Sequence, residues 1–294
     1  MSNINIKLLH DVDVGEHIHD MKISPGGKFA AVCHGNTTVS IIDISTGLVL
    51  DTICFDGQPV ALSFSEDGVY LYVVLKSDSI VEVFTGRWTK GRRVKWASDD
   101  WGAKVVAGED CRHVYAATAG RFDKIDFENG EVVNSLPIQT LDNAFVLLNN
   151  KTAYISDSES LVALDLKSWK VSTVLESVFL AYATVVTVDP ARLHVYAGRN
   201  ENGYGVSAVD LNTNEIVVRI AEIYHIKDMA LNSTGSLAFV LDGGPKSMLV
   251  YDVVSEVEKV FEIPVGQAEQ VAITSNDKYI CIRDIYHFKV FELL

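Results

Sequence analysis

Basic residues are scarce in this chain: 25 Lys and Arg stand against 39 Asp and Glu over 294 residues, a formal charge of −14. A protein that grips phosphate backbones draws its affinity from cations that displace counterions. The densest basic run here is only Lys90-Gly91-Arg92-Arg93. Nucleic acid and anionic membranes are therefore excluded as main partners, and the acidity reads as a source of solubility. Apolar runs of the ~20 residues that span a bilayer are missing, and Met1–Lys7 lacks a charged-then-apolar leader pattern. Taken as a full-length chain, the sequence predicts a cytoplasmic protein. The cysteines are four, Cys33, Cys54, Cys111 and Cys281, with no C-x-x-C pair. Their spacing offers no structural zinc site. The apolar surroundings of Cys33, Cys54 and Cys281 predict small, buried, reduced side chains. A sustained 3.6-residue period is absent, which leaves little room for helix. So are a G-x-S-x-G elbow, a Walker A loop and an H-E-x-x-H pair. Neither a cofactor nor a resident metal is expected.

What is present is a repeat. A short apolar stretch, a polar turn, a strand rich in aromatic and branched residues, a strand ending in Asp, a turn and a last strand recur along the chain. The second strand reads KFAAV (28–32), VYLYV (69–73), RHVYA (112–116), KTAYI (151–155), LHVYA (193–197), SLAFV (236–240) and KYICI (278–282). The third ends at Asp43, Asp126, Asp165, Asp210 and Asp252, with Phe84 and Glu292 in the two departing units, at spacings of 41, 42, 39, 45, 42 and 40 residues. Turns such as Glu66-Asp67-Gly68, Glu128-Asn129-Gly130 and Ser233-Thr234-Gly235 supply residues that tolerate positive φ. Short strands joined by such turns are antiparallel hairpins. Four of them in about 40 residues make one propeller blade.

Seven units account for the whole chain as one all-β domain. The blades fall at about 15–56, 57–99, 100–140, 141–180, 181–224, 225–265, and 266–294 joined with 1–14. The last unit ends right after its third strand, 287–292, whereas Ile4–Leu9 reads as a strand without a unit. Pairing the two completes the seventh blade and covers an edge that would otherwise be open.

The phrases ISPGGKFAAV…TVSIIDISTGLVL (23–50) and LSFSEDGVYLYVVLKSDSIVEVF (62–84) resemble the YVTN family of β-propeller repeats and, more loosely, the WD-repeat family. The resemblance spans nearly the whole chain and implies a fold, not an activity. The chain departs from WD repeats in lacking Gly-His and Trp-Asp pairs. It departs from the YVTN pattern in the third and fourth units, where Gly108-Glu109-Asp110-Cys111 and Asn149-Asn150-Lys151 replace the Ser-Pro-Asp-Gly turn.

In such a fold the innermost strands begin at a shared face. Aligning the seven units there places Asp20, Ala61, Lys104, Asn143, Val185, Asp228 and Gln270 at one step. Residues just before it add His17, His19, Gln58, Trp101, Asp142, Tyr182, His225, Lys227 and Glu269. Charged side chains at the start of a core strand are costly unless they are solvated, paired or used. The first and sixth units share the pattern His17-Ile18-His19-Asp20 and His225-Ile226-Lys227-Asp228.

Two readings follow. One is a binding module presenting this polar mouth to a small molecule or a protein, as a monomer, with His17, Gln58, Trp101, Asn143, Tyr182, Lys227, Glu269 and Gln270 as contacts. The other is a lyase, cyclase, isomerase or lactone hydrolase using His19, Asp20, Lys104, His225 and Asp228, with a His base oriented by an Asp. The longer loops 199–205 and 242–246 flank the same face, where binding residues commonly sit on a rigid scaffold. Binding is the favoured reading.

Overall fold

The computed structural model describes residues 5–76, 78–96, 103–108, 110–118, 120–138, 145–148, 151–157, 160–175, 183–199, 205–221, 223, 225–254 and 257–294. Among them every regular element is a strand, as short runs of branched and aromatic residues between turn formers require.

The chain opens with β1 (Ile6–Asp13). The first blade is β2 (Ile18–Ile23), β3 (Phe29–His34), β4 (Thr38–Asp43) and β5 (Val49–Cys54); the second is β6 (Pro59–Phe64), β7 (Tyr70–Leu75), β8 (Ser79–Phe84) and β9 (Thr89–Lys95). The third is β10 (Lys104–Ala107), β11 (His113–Thr118), β12 (Arg121–Asp126) and β13 (Glu131–Pro137); the fourth is β14 (Phe145–Leu148), β15 (Thr152–Ser156), β16 (Leu161–Asp165) and β17 (Lys170–Leu175). The fifth is β18 (Ala183–Asp189), β19 (His194–Arg199), β20 (Gly205–Asp210) and β21 (Ile216–Ile220); the sixth is β22 (Ile226–Leu231), β23 (Leu237–Asp242), β24 (Ser247–Asp252) and β25 (Glu258–Pro264). The seventh contains β26 (Gln270–Ile273), β27 (Tyr279–Arg283) and β28 (His287–Leu293), and its sheet runs β1-β28-β27-β26. Seven four-stranded antiparallel meanders, the last completed by the N-terminal strand, make a seven-bladed β-propeller.

Contacts group the chain into two compact units. One comprises Leu8–Ile138 and Thr274–Glu292; the other comprises Gln139–Ile273 with Met1–Lys7 and Leu293–Leu294. In the first, Ala31, Cys33, Val39 and Ile41 of the first blade pack on Leu62, Leu71, Val73 and Val81 of the second. In the second, Val206, Val218 and Ile220 pack on Met229, Leu249 and Tyr251. Burial therefore runs between consecutive blades, which is why the middle strands are apolar on both faces and do not alternate. The outer strands read otherwise: β5 and β9 are exposed at most positions.

The turns show why small polar residues recur. Ser24, Ser65 and Thr274 each use the hydroxyl to accept the N–H five residues on, at 2.9–3.0 Å. The Asp that ends the third strand accepts N–H groups of the following turn: Thr46 on Asp43, Asn129 on Asp126, Ser168 on Asp165, Asn212 on Asp210 and Val254 on Asp252.

All four cysteines are free. Cys33 and Cys281 are buried, and burial pushes both thiols far above their ordinary value. Cys54 is exposed, contrary to expectation: it ends an outer strand, where alternate side chains meet solvent. No helix among the described residues is long and apolar enough to cross a membrane.

Candidate functional site

The innermost strands share a local irregularity. In β2, β6, β18 and β22 the pairing with the next strand skips one residue, at His19, Val60, Thr184 and Lys227 respectively. A bulge of this kind takes a residue out of the ladder and re-aims its side chain. Two of the four bulged positions are His19 and Lys227, drawn from the two units that share the His/Asp pattern.

Within the first compact unit, His19 Nε2 lies 2.9 Å from the Gly35 carbonyl and 3.1 Å from Gln58 Nε2, which itself donates to that carbonyl at 3.2 Å. A carbonyl only accepts, so His19 carries its proton on Nε2 and leaves Nδ1 as an acceptor. His17 Nδ1 lies 3.3 Å from that atom, with ring centroids 5.0 Å apart, and so donates to it. His17 also meets Tyr286 edge-on at 6.5 Å. His34 presents Nε2 to the Ser40 hydroxyl at 2.8 Å and Nδ1 to the Glu16 carboxylate at 3.4 Å. Burial lowers the pKa of His19, the Gly35 bond opposes it, and the nearby His17, Arg283 and His34 side chains lower it further by electrostatic interaction. His34 is lowered by burial against the opposing pull of Glu16. Three imidazoles, two of them held neutral by their surroundings, thus share a small region.

The Asp that follows each bulge has a different task. Asp20 Oδ2 accepts the Leu62 N–H of the next blade at 2.8 Å, and Oδ1 accepts its neighbour's N–H and pairs with Lys22 at 3.0 Å. In the second unit, Asp228 Oδ2 accepts the Val271 N–H of the next blade at 2.9 Å. Both carboxylates clamp consecutive blades. Lys104 lies opposite Ala117 as Asp20 lies opposite Cys33, so it occupies the aligned step.

The second unit gathers Lys227 and Glu269, paired at 3.1 Å across consecutive blades, with Gln270 half-buried beside them. The exposed His225 is anchored through its backbone: its N–H donates to buried Asp242 at 3.1 Å, and its carbonyl accepts the Gly243 N–H at 2.8 Å. The same carboxylate caps the Gly244 N–H at 3.0 Å. That loop borders a groove of about 680 Å³ whose wall includes Arg219, Pro245, Leu249, Tyr251 and Lys259. The loop was visible in the sequence as an enlarged turn; its groove was not, since the lining comes from four strands or turns of two blades.

Trp101, Asn143 and Tyr182 lie outside the described residues. One residue escaped the sequence reading altogether. Arg283 occupies the second-strand position that holds Cys33, Val74, Ala117 and Leu241 in other blades, and its Nη1 donates to the Ile18 carbonyl at 2.6 Å. An arginine in a column of otherwise uncharged residues was the signal.

No protein-family profile matches the chain, and no curated protein matches it either. Solved structures do. The β-propeller domain of Myceliophteria thermophila Cps50 (Swd1) is similar over 99% of this chain and 100% of that one, with a TM-score of 0.82 and 11% identity. A chain of Kuenenia stuttgartiensis hydrazine synthase is similar over 96% and 97%, with a TM-score of 0.77 and 16% identity. At these identities the likeness establishes the fold alone.

Proposed function

We propose that this propeller is a binding module that presents the polar start of its innermost strands, centred on His17, His19 and Gln58, to a small ligand or a protein partner. The observation that carries this reading is the bulge at His19. It lifts an ionisable ring out of the ladder into a chain of polar contacts with His17, Gln58 and Gly35. Binding is favoured over catalysis because a His base needs an orienting carboxylate. Asp20 and Asp228, the acids that follow the two bulges, hold the Leu62 and Val271 N–H groups of neighbouring blades.

The net charge of −14 supports a partner other than nucleic acid or an anionic membrane. The reading takes the protein to be a cytoplasmic monomer of YVTN-like repeats. It is tested by screening a small-molecule fragment set against ¹³C-labelled histidine rings by NMR. Saturable shifts at His17 and His19 that vanish in His17→Ala, with the melting temperature unchanged, support it. Shifts confined to other surfaces refute it.

A further inference from the structure

We propose that the cluster of Arg283, His19 and His17 recognises a compact oxyanion, a carboxylate or phosphate group carried by the ligand. The inference rests on the binding reading above and names the chemistry of that site.

The argument begins with charge. Arg283 replaces an apolar residue in the second strand of its blade and is largely withdrawn from solvent. Its Nη1 donates to the Ile18 carbonyl, but its buried Nε has no hydrogen-bond partner. A buried donor without an acceptor is costly, and a native structure that retains one calls for an explanation. The nearby carboxylates are committed elsewhere. Asp20 is held by Lys22 and by two backbone N–H groups, and Asp284 by Lys289 and the Tyr286 and His287 N–H groups, while Glu16 faces His34 Nδ1 at 3.4 Å. None of the ion pairs among the described residues includes Arg283. In a chain so rich in acid, a half-buried guanidinium without a counterion among the described residues is left for a ligand to neutralise.

The neighbours match that ligand. His19 follows Ile18, the residue whose carbonyl Arg283 holds, and lies within electrostatic reach of the guanidinium. His17 is exposed, with its ring centroid 5.0 Å from that of His19 and tilted by 40°, so it can turn its Nδ1–H from His19 to a bound oxygen. A planar fork with an adjacent imidazole matches a carboxylate or phosphate better than a neutral hydroxyl, because charge-assisted bonds are about twice as strong as neutral ones.

The test observes the Arg283 Nε–H and His19 ring signals by ¹⁵N NMR while inorganic phosphate, and separately acetate, is added. A saturable shift of both signals is expected, with affinity reduced about tenfold or more in Arg283→Met through loss of charge-assisted bonds. Arg283→Lys, which keeps a charge but loses the fork, should fall between. Should Arg283→Met fail to fold, Arg283→Lys, His17→Ala and the wild-type Nε signal decide the matter. Glycerol and acetamide serve as neutral probes. If they move His19 and the anions do not, the oxyanion assignment is wrong and binding at the cluster stands. If neither class moves either signal, both fall.

Discussion

The carboxylate of Asp20 accepts the backbone N–H of Leu62 at 2.8 Å, joining the innermost strand of one blade to that of the next. Asp228 repeats the relationship with Val271 at 2.9 Å, at the same register position of its own blade. An apolar strand packed against its neighbour cannot fill this role. The expected consequence is that Asp20→Ala and Asp228→Ala each cost roughly 1–3 kcal/mol, the price of a buried donor left unpaired. Urea unfolding measures it. Loss of ligand binding at unchanged stability would show that the acid serves the ligand instead.

The fold was legible because one constraint is repeated seven times. Strands such as KFAAV and KYICI must be apolar on both faces, and their hairpins need small polar residues at set steps. Ser24 and Asp43 do in the structure what such residues do at any turn. The site was only partly legible, because side-chain direction depends on registry. A single skipped residue at His19 or Lys227 changes where every earlier side chain points. Reading only the start of each innermost strand also left out Arg283, which reaches this region from a second strand 264 residues after His19.

The N-terminal strand closes the seventh sheet. Val14 donates its N–H to Tyr286, Leu294 donates to Asn5, and His287 Nδ1 donates to Asp11 at 2.7 Å. Removing residues 1–13 deletes the outer strand and exposes the edge of β28. Aggregation or a fall of many degrees in melting temperature is expected. An unchanged thermal midpoint would refute closure by this strand.

The turn carboxylates predict an acid limit. Asp43, Asp126, Asp165 and Asp210 are all held below the ordinary carboxylate range. The leading cause is the Ser45 hydroxyl for Asp43, Arg112 for Asp126, the Ser168 hydroxyl for Asp165 and the Asn212 N–H for Asp210. A pKa lower in the folded state stabilises above the unfolded value of about 4 and is lost as pH falls below it. The share these carboxylates contribute should be unchanged from pH 6 to 5 and be lost below about 4. Asp165→Asn, which keeps an acceptor but cannot titrate, should flatten part of that fall; an identical acid limb in the variant would count against the assignment.

Backbone conformation offers a gain. Gly27, Gly68 and Gly235 sit two residues before a second strand with φ of 67°, 71° and 66°, and Cys111 holds the same step at 53°. A side chain there costs about 1–2 kcal/mol. Cys111→Gly should therefore stabilise by about 1 kcal/mol and raise the melting temperature by roughly 2 °C, less whatever the thiol gains beside Asp67. Cys111→Ala keeps a Cβ and should bring no such gain. Equal effects of Gly and Ala would rule out backbone strain as the cause.

The imidazoles predict a second, separate pH effect. His19 and His34 are both lowered in the folded state, chiefly by burial. The unfolded chain, with His near 6.5, binds protons first as the solution is acidified. Stability should thus be full above about pH 7 and decline as pH falls through 6.5 towards the folded values, well above the window of the turn carboxylates. Urea midpoints at pH 7.5 and 5.5 measure the slope in the wild type, in His19→Gln and in His34→Gln. His34→Gln will lower stability at both pH values, since it disturbs the bond to buried Ser40, so only the difference between the two pH values is compared. A smaller difference in each variant is expected. An unchanged slope in both would mean that neither ring is held neutral by the fold.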